Sequence, residues 1–137
     1  MAHFLIIDDD NAIRQLIGWT LQQAGHEVTQ AVNGRDGVAL FRQRRPDVLI
    51  TDLVMPADSL ELVLLLRHEN PTLPIILVSG VDASSPLSRS ATEALRAKRT
   101  LPKPFRLAEL VQAASEVLTE EGIADASVRR RSEAGAT

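Results

Sequence analysis

Hydrophobic and polar positions along the chain alternate between two periods. Residues 3–8 (HFLIID) carry a short apolar run, and from Ile13 the apolar residues Ile13, Leu16, Ile17, Leu21 and Ala24 recur on one helical face. Asp10 or Asn11 stands where that helix wants an N-cap, and Gly25 where its C-terminus would turn left-handed. HEVTQA (26–31) reads as a more polar strand, Asn33-Gly34 as a turn, and Val38, Leu40 and Phe41 as the apolar side of a short helix that Pro46 ends. DVLIT (47–51) is apolar almost throughout, as in a strand covered on both faces, and it runs into Asp52. LELVLLLRHEN (60–70) predicts a helix, PIILVS (74–79) a second buried strand, a stretch within 86–98 a weaker helix and RTL (99–101) a short strand. From 105 to about 120, Leu107, Leu110, Val111, Ala114, Val117 and Leu118 fall at helical spacing. Five strands alternating with five helices predict a parallel sheet covered on both faces and joined by right-handed crossovers, a doubly wound α/β fold.

Composition narrows what such a fold does here. With 137 residues, 45% of them hydrophobic and 24% charged, the chain has room for one domain with a proper core. The net charge of -3 gives no general attraction to nucleic acid or to an anionic membrane. Cysteine is absent, which removes disulfides, thiolate metal sites and thiol nucleophiles together. No basic segment followed by an apolar stretch opens the chain, and no apolar run reaches membrane-spanning length, so the expected location is the cytoplasm. Trp19 lies off the apolar stripe of its helix and is expected to be partly exposed. His3, His26 and His68 are scattered over different elements and read as structural. From Glu121 to Thr137 the sequence turns small and polar, with Arg129, Arg130 and Arg131 in a row, and predicts a disordered, solvated tail rather than a nucleic-acid module.

In a doubly wound sheet the ligand crevice lies outside the carboxyl ends of the strands. The polar residues at those ends are Asp8 and Asp9, Asp52, Ser79 and Lys103: three carboxylates, a hydroxyl and an ammonium from four segments. Like charges crowded together repel unless a cation relieves them. An oxygen-only set without imidazole or thiolate suits Mg2+, which keeps several of its waters and leaves positions for a phosphoryl oxygen. A carboxylate also forms covalent aspartyl phosphate, and Asp52, central in the sheet and followed by a loop, is the best-placed nucleophile. Phosphoryl transfer asks mainly for positioning and charge neutralisation, which Lys103 and Ser79 supply beside a cation.

The segments FLIIDDDN, DVLITDLVMP, PIILVSG and LPKPF, in this order and at these spacings, resemble the response-regulator receiver domains of two-component signalling over about residues 1–120. The resemblance implies a five-stranded, flavodoxin-like sheet in the order 2-1-3-4-5 with five helices, and a cytoplasmic acceptor of phosphate from a histidine kinase or histidine phosphotransfer protein. By the same resemblance Asp52 is the phosphorylated residue. Asp8 and Asp9 are the acidic pair that holds Mg2+ with Asp52, and the backbone carbonyl of Val54 completes the site. Ser79 is the hydroxyl that moves toward the phosphoryl group, Lys103 pairs with that group, and the Lys103–Pro104 bond is commonly cis. Such a domain is a signalling switch with self-phosphorylating and autodephosphorylating activity, rather than an enzyme acting on a metabolite. The expected output is binding of a downstream protein or phosphate relay, with no direct contact to nucleic acid or membrane and with a homodimer left open. Within these residues no output module follows, so the expectation is a stand-alone receiver (1–120) with a tail (121–137).

Three departures accompany the match. After Met55-Pro56 the sequence ADSLEL replaces the usual Gly-x-Asp-Gly-like loop and is one residue short. About two extra residues lie between Ser79 and Lys103, with DASSP (82–86) the expected place. Thr100 stands where an aromatic ring is common, so the usual hydroxyl-to-aromatic coupling is not expected. Two other readings are open to these residues. In a haloacid-dehalogenase-type phosphatase, Asp8 would be the nucleophile and Asp10 the acid/base, but Asp52 would be idle and the required later acidic pair is missing. In a pseudo-receiver the fold would persist without phosphorylation, which intact Asp9, Asp52 and Lys103 argue against.

Overall fold

The structure, a computed structural model, describes residues 2–55, 57–80, 82 and 84–123. Most of the predicted tail, including Arg129 to Arg131, lies outside the described residues, as do Pro56 and Ala83 within the two altered loops. The elements run β1 (His3–Ile7), α1 (Asn11–Gln23), β2 (Glu27–Ala31), α2 (Gly34–Gln43), β3 (Val48–Asp52), α3 (Ala57–Glu69), β4 (Ile75–Ser79), α4 (Pro86–Leu95), β5 (Arg99–Pro102) and α5 (Leu107–Glu120). All strand pairs are parallel and the order is β2-β1-β3-β4-β5, the flavodoxin-like arrangement that the resemblance implied. No helix among the described residues is long and apolar enough to cross a membrane.

The pleat divides each central strand between two cores. On one face Phe4, Ile6, Val48, Ile50, Ile76 and Val78 pack against Ile17 and Leu21 of α1 and Leu110, Ala114 and Val117 of α5. On the other, Leu5, Ile7, Leu49, Ile75 and Leu77 meet Val38 and Phe41 of α2, Val63 and Leu66 of α3, and Leu95 of α4. Burial on both faces is why these strands read as apolar runs rather than as alternations. Each fully buried Leu or Ile contributes about 1.5–3 kcal/mol, and this clamps the strand ends where the polar residues emerge.

Local chemistry sets the boundaries. Asp10 is the N-cap of α1, its side chain accepting the Ile13 amide at 3.1 Å. Asn33 is the N-cap of α2 rather than part of a free turn, accepting from the Asp36 amide at 2.8 Å, with Gly34 already inside the helix. Gly34 also donates its amide to Ser59 Oγ at 3.0 Å, and a Cβ there would stand 2.6 Å from the Ser59 carbonyl oxygen, so only glycine permits this approach of α2 to α3. That contact stabilises the first turn of α3, which starts at Ala57, ahead of the apolar pattern that predicted a start at Leu60. At the far side α4 lies within the predicted stretch and stops at Leu95, because Arg96 turns left-handed at φ 51° and ψ 48°.

Candidate functional site

The strand ends that the sequence marked converge at the carboxyl edge of the sheet. Asp8 follows β1 directly and is 1% exposed; its amide bonds the Ala31 carbonyl at 3.2 Å, and its Oδ1 accepts from the Asp10 amide at 2.9 Å. Asp52 closes β3, is 5% exposed, and accepts the Val54 amide on Oδ1 at 3.1 Å. Lys103, just past β5, reaches between them: its Nζ lies 3.1 Å from Asp8 Oδ2 and 3.2 Å from Asp52 Oδ2. The Lys103 amide donates to the Ser79 carbonyl at 2.7 Å, so the ends of β4 and β5 fix each other before the cis Lys103–Pro104 bond. Ser79 is buried at the end of β4. Asp9 is exposed, yet one carboxylate oxygen from each of Asp8, Asp9 and Asp52 falls within 4.8 Å of the others.

Electrostatics make this an incomplete arrangement. Burial raises the Asp52 carboxyl above its ordinary value; the Val54 amide opposes this, the Asp8 charge adds to it and Lys103 opposes it again. For Lys103, burial pulls the ammonium down, but Asp52 and Asp8 together outweigh it and the net shift is upward. One ammonium thus faces three carboxylates, two of them buried. The donor set fits a small hard dication: it is all oxygen, contributed by two strand ends, with an exposed side at Asp9 where water ligands have room.

Asp8, Asp9, Asp52 and Lys103 therefore stand together as the sequence implied, with Ser79 joined to Lys103 through the backbone. Val54 is 52% exposed, and the bond it makes to Asp52 uses its amide. Thr100 is half-buried and lines a cavity of about 250 Å3 with Ser88 and Thr92 of α4. Asp10 faces away into its cap and is not part of the acidic cluster, which removes the acid/base that the phosphatase reading requires. Trp19 is exposed, as its place off the stripe predicted, and His3 is buried with Nε2 2.6 Å from Thr29 Oγ1, a structural setting.

Sequence reasoning passed over Arg14. It is buried in α1, donates Nη1 to the Asp8 carbonyl at 3.0 Å and Nε to Gln30 Oε1 at 3.3 Å, and so fixes the backbone of the acidic strand end. The signal was present, because Arg14 shares its helical face with Ile17 and Leu21, where a charge is out of place unless it is bonded.

Comparison with known proteins places this arrangement. The profile of the response regulator receiver domain matches residues 4–115. The chain is 37% identical over 111 residues to the response regulator MprA of Mycolicibacterium vanbaalenii, covering 80% of this chain and 47% of that protein. It spans about half the length of the curated relatives it matches. Among solved structures, the chemotaxis protein CheY4 of Vibrio cholerae superposes with a TM-score of 0.78 at 35% identity, covering 86% of this chain and 99% of that one. The response regulator TrrA of Thermotoga maritima, solved in complex with Mg2+ and BeF, gives a TM-score of 0.73 at 31% identity, covering 86% of this chain and 100% of that one.

Proposed function

This chain belongs to the response regulator receiver domain family, and from that premise we propose that it is a phosphorylation switch with Asp52 as the acceptor. The observation that carries the reading is the placement of Asp52: buried at the end of β3, with Oδ2 3.2 Å from Lys103 Nζ and its carboxylate inside the acidic cluster. In the proposed reaction an Asp52 carboxylate oxygen attacks the phosphorus of a phosphohistidine on a histidine kinase or phosphotransfer protein. The new O–P bond forms as the N–P bond breaks, and the electron pair leaves on the imidazole nitrogen, which takes a proton. Later a water oxygen attacks the same phosphorus, the Asp52 O–P bond breaks with its electron pair returning to the carboxylate, and inorganic phosphate leaves with the water's oxygen, its excess proton passing to solvent.

Asp8, Asp9 and Asp52 would hold Mg2+, with the Val54 carbonyl as a further ligand. When bound, the ion supplies charge neutralisation for carboxylates and phosphoryl oxygens. The residues of the chain do the rest. Val54 orients the Asp52 carboxylate through its amide, leaving Oδ2 toward Lys103. Lys103 keeps its proton between two carboxylates and pairs with the incoming phosphoryl oxygens, and Ser79 offers its hydroxyl from the adjacent strand end. Arg14 holds the Asp8 backbone in place. We further propose a cytoplasmic domain of about residues 1–120, whose output is protein binding, dimerisation or relay.

The test is intact mass after incubation with acetyl phosphate, with and without Mg2+, for the wild type and Asp52→Asn. The reading expects a gain of one phosphoryl group that needs both Mg2+ and Asp52. No gain under any condition makes the domain a pseudo-receiver.

A further inference from the structure

Helices α1 and α5 lie side by side on one face of the sheet, and their charged residues are turned away from the groove between them. On α1 the flank that carries Arg14 and Gly18 faces β2: Arg14 Nε donates to Gln30 Oε1 at 3.3 Å, and a Cβ on Gly18 would stand 2.6 Å from Gln30 Nε2. On α5 the flank that carries Glu116 and Glu120 faces β5, where both pair with Arg99. At 3.6 residues per turn, Leu16 and Trp19 then fall on the α5 side and outer face of α1, and Leu107 and Val111 on the α1 side of α5.

These four side chains are half of the eight large apolar residues exposed among the described residues, and Trp19 is 55% exposed. Around them the surface carries no charge. The exposed positions from Asn11 to Gln23 are Asn, Ala, Gln, Leu and Trp only, and the facing side of α5 adds Ala108, Gln112 and Ser115. In a chain with 24% charged residues, solvent alone does not call for a charge-free strip across two helices, because an exposed helix face is ordinarily where charges go. The core does not call for it either, since Ile17, Leu21, Leu110, Ala114 and Val117 already fill the space beneath.

We propose that this α1–α5 strip is the interface of a two-fold homodimer, its occupant the same strip of a second copy of this chain. Across a two-fold axis every group meets its own kind or a close neighbour, so a charge placed there is repelled by its own copy. The absence of charge over both helices meets that condition. A strip shaped for a different protein gains speed and selectivity from charges that its partner complements, and this one has none. With a net charge of -3, two copies repel through the rest of their surfaces, and the strip is the face on which they can approach. Trp19 is the anchor, a ring of the kind that dominates interface centres, seated in the groove of the other copy. Helices of 13 and 14 residues are about 20 Å long, which makes a small interface and a concentration-dependent dimer. The proposal goes beyond the phosphoryl-acceptor reading and does not rest on it.

The experiment is sedimentation equilibrium of the full, unphosphorylated chain in EDTA from micromolar to millimolar concentration, with tryptophan emission read alongside. Trp19 is the only tryptophan, so the emission reports the strip itself. A reversible monomer–dimer equilibrium is expected, with emission moving to shorter wavelength as the dimer forms. Trp19→Glu and Val111→Glu, both at exposed positions, are expected to raise the dissociation constant at least about tenfold. Leu87→Glu, on α4 and as exposed as Trp19, is expected to leave it unchanged. A monomer at every concentration with solvent-like emission overturns the proposal and leaves the strip to another protein; a monomer whose emission is already at short wavelength overturns it in favour of residues 124–137 as the cover. A dimer that survives both strip variants, or that is lost in Leu87→Glu, overturns it as well. Because no phosphoryl donor is present, failure of the Asp52 reading leaves this outcome untouched.

Discussion

The two edges of this sheet solve opposite electrostatic problems. At the carboxyl edge Asp8 and Asp52 are buried beside exposed Asp9, and a single ammonium, Lys103, bridges the two buried carboxylates. At the amino edge buried Arg67 donates to carbonyl oxygens of Asn70, Pro71 and Leu73 in the loop after α3 and of Leu95 at the end of α4, and the exposed Arg96 stands nearby. Most of the charge at Arg67 is answered by the protein itself, so that edge is mainly structural. The carboxylates are answered only in part, by the one ammonium of Lys103. On the proposed function, charge left unanswered in a fixed frame, rather than charge as such, marks the functional edge.

Removing Arg67 tests this contrast most severely. Arg67→Ala strips four carbonyl oxygens of their donor and removes a packed stem, and about 3 kcal/mol of stability should be lost in chemical denaturation. A loss near zero would mean that the amino edge does not depend on that network. At the other edge the effect falls on affinity instead. Asp9→Ala should weaken Mg2+ binding by roughly tenfold or more, read by NMR shifts at Asp8 and Val54, with little change in unfolding midpoint because Asp9 is exposed.

Asp52 should show the sign that distinguishes an unanswered charge. Its folded pKa is raised above 3.8, so between these values the folded state holds the proton more strongly and stability falls as pH rises through that window. The loss persists at neutral pH without a divalent cation. Asp52→Asn should therefore melt higher than the wild type in EDTA, and added Mg2+ should stabilise the wild type more than the variant. Equal responses would contradict the assignment of the cation to this edge. The smallest effect is expected at His3, whose pKa is lowered from 6.5 by burial and then by Arg44. There the unfolded chain takes up the proton first, so stability falls as pH drops below about 6.5. His3→Gln should flatten that slope in thermal melts at pH 5 to 7.

Much of this was legible in the sequence because the sheet is parallel and buried. Apolar runs that end on Asp8, Asp52 and Ser79 give strand positions and strand direction together, and direction is what assembles the site. What was not legible depended on contacts distant in sequence. The first turn of α3 has no apolar pattern in ADS, and Ser59 starts it by meeting the amide of Gly34, 25 positions earlier. Arg67 looks like an ordinary surface arginine until the carbonyls it serves are placed by the fold. Arg96 has no sequence signal, since the turn it makes would ordinarily be read from a glycine.

The most direct test of the central claim, that the carboxyl edge is an Mg2+-dependent phosphoryl acceptor centred on Asp52, is to locate the phosphoryl group by residue. The protein is incubated with acetyl phosphate, reduced with borohydride to convert any acyl phosphate to a stable alcohol, digested and mapped by mass spectrometry. The account predicts a single reduced residue at Asp52, present with Mg2+ and absent in EDTA. Reduction at Asp8, or at Asp52 with equal yield in EDTA, would contradict it.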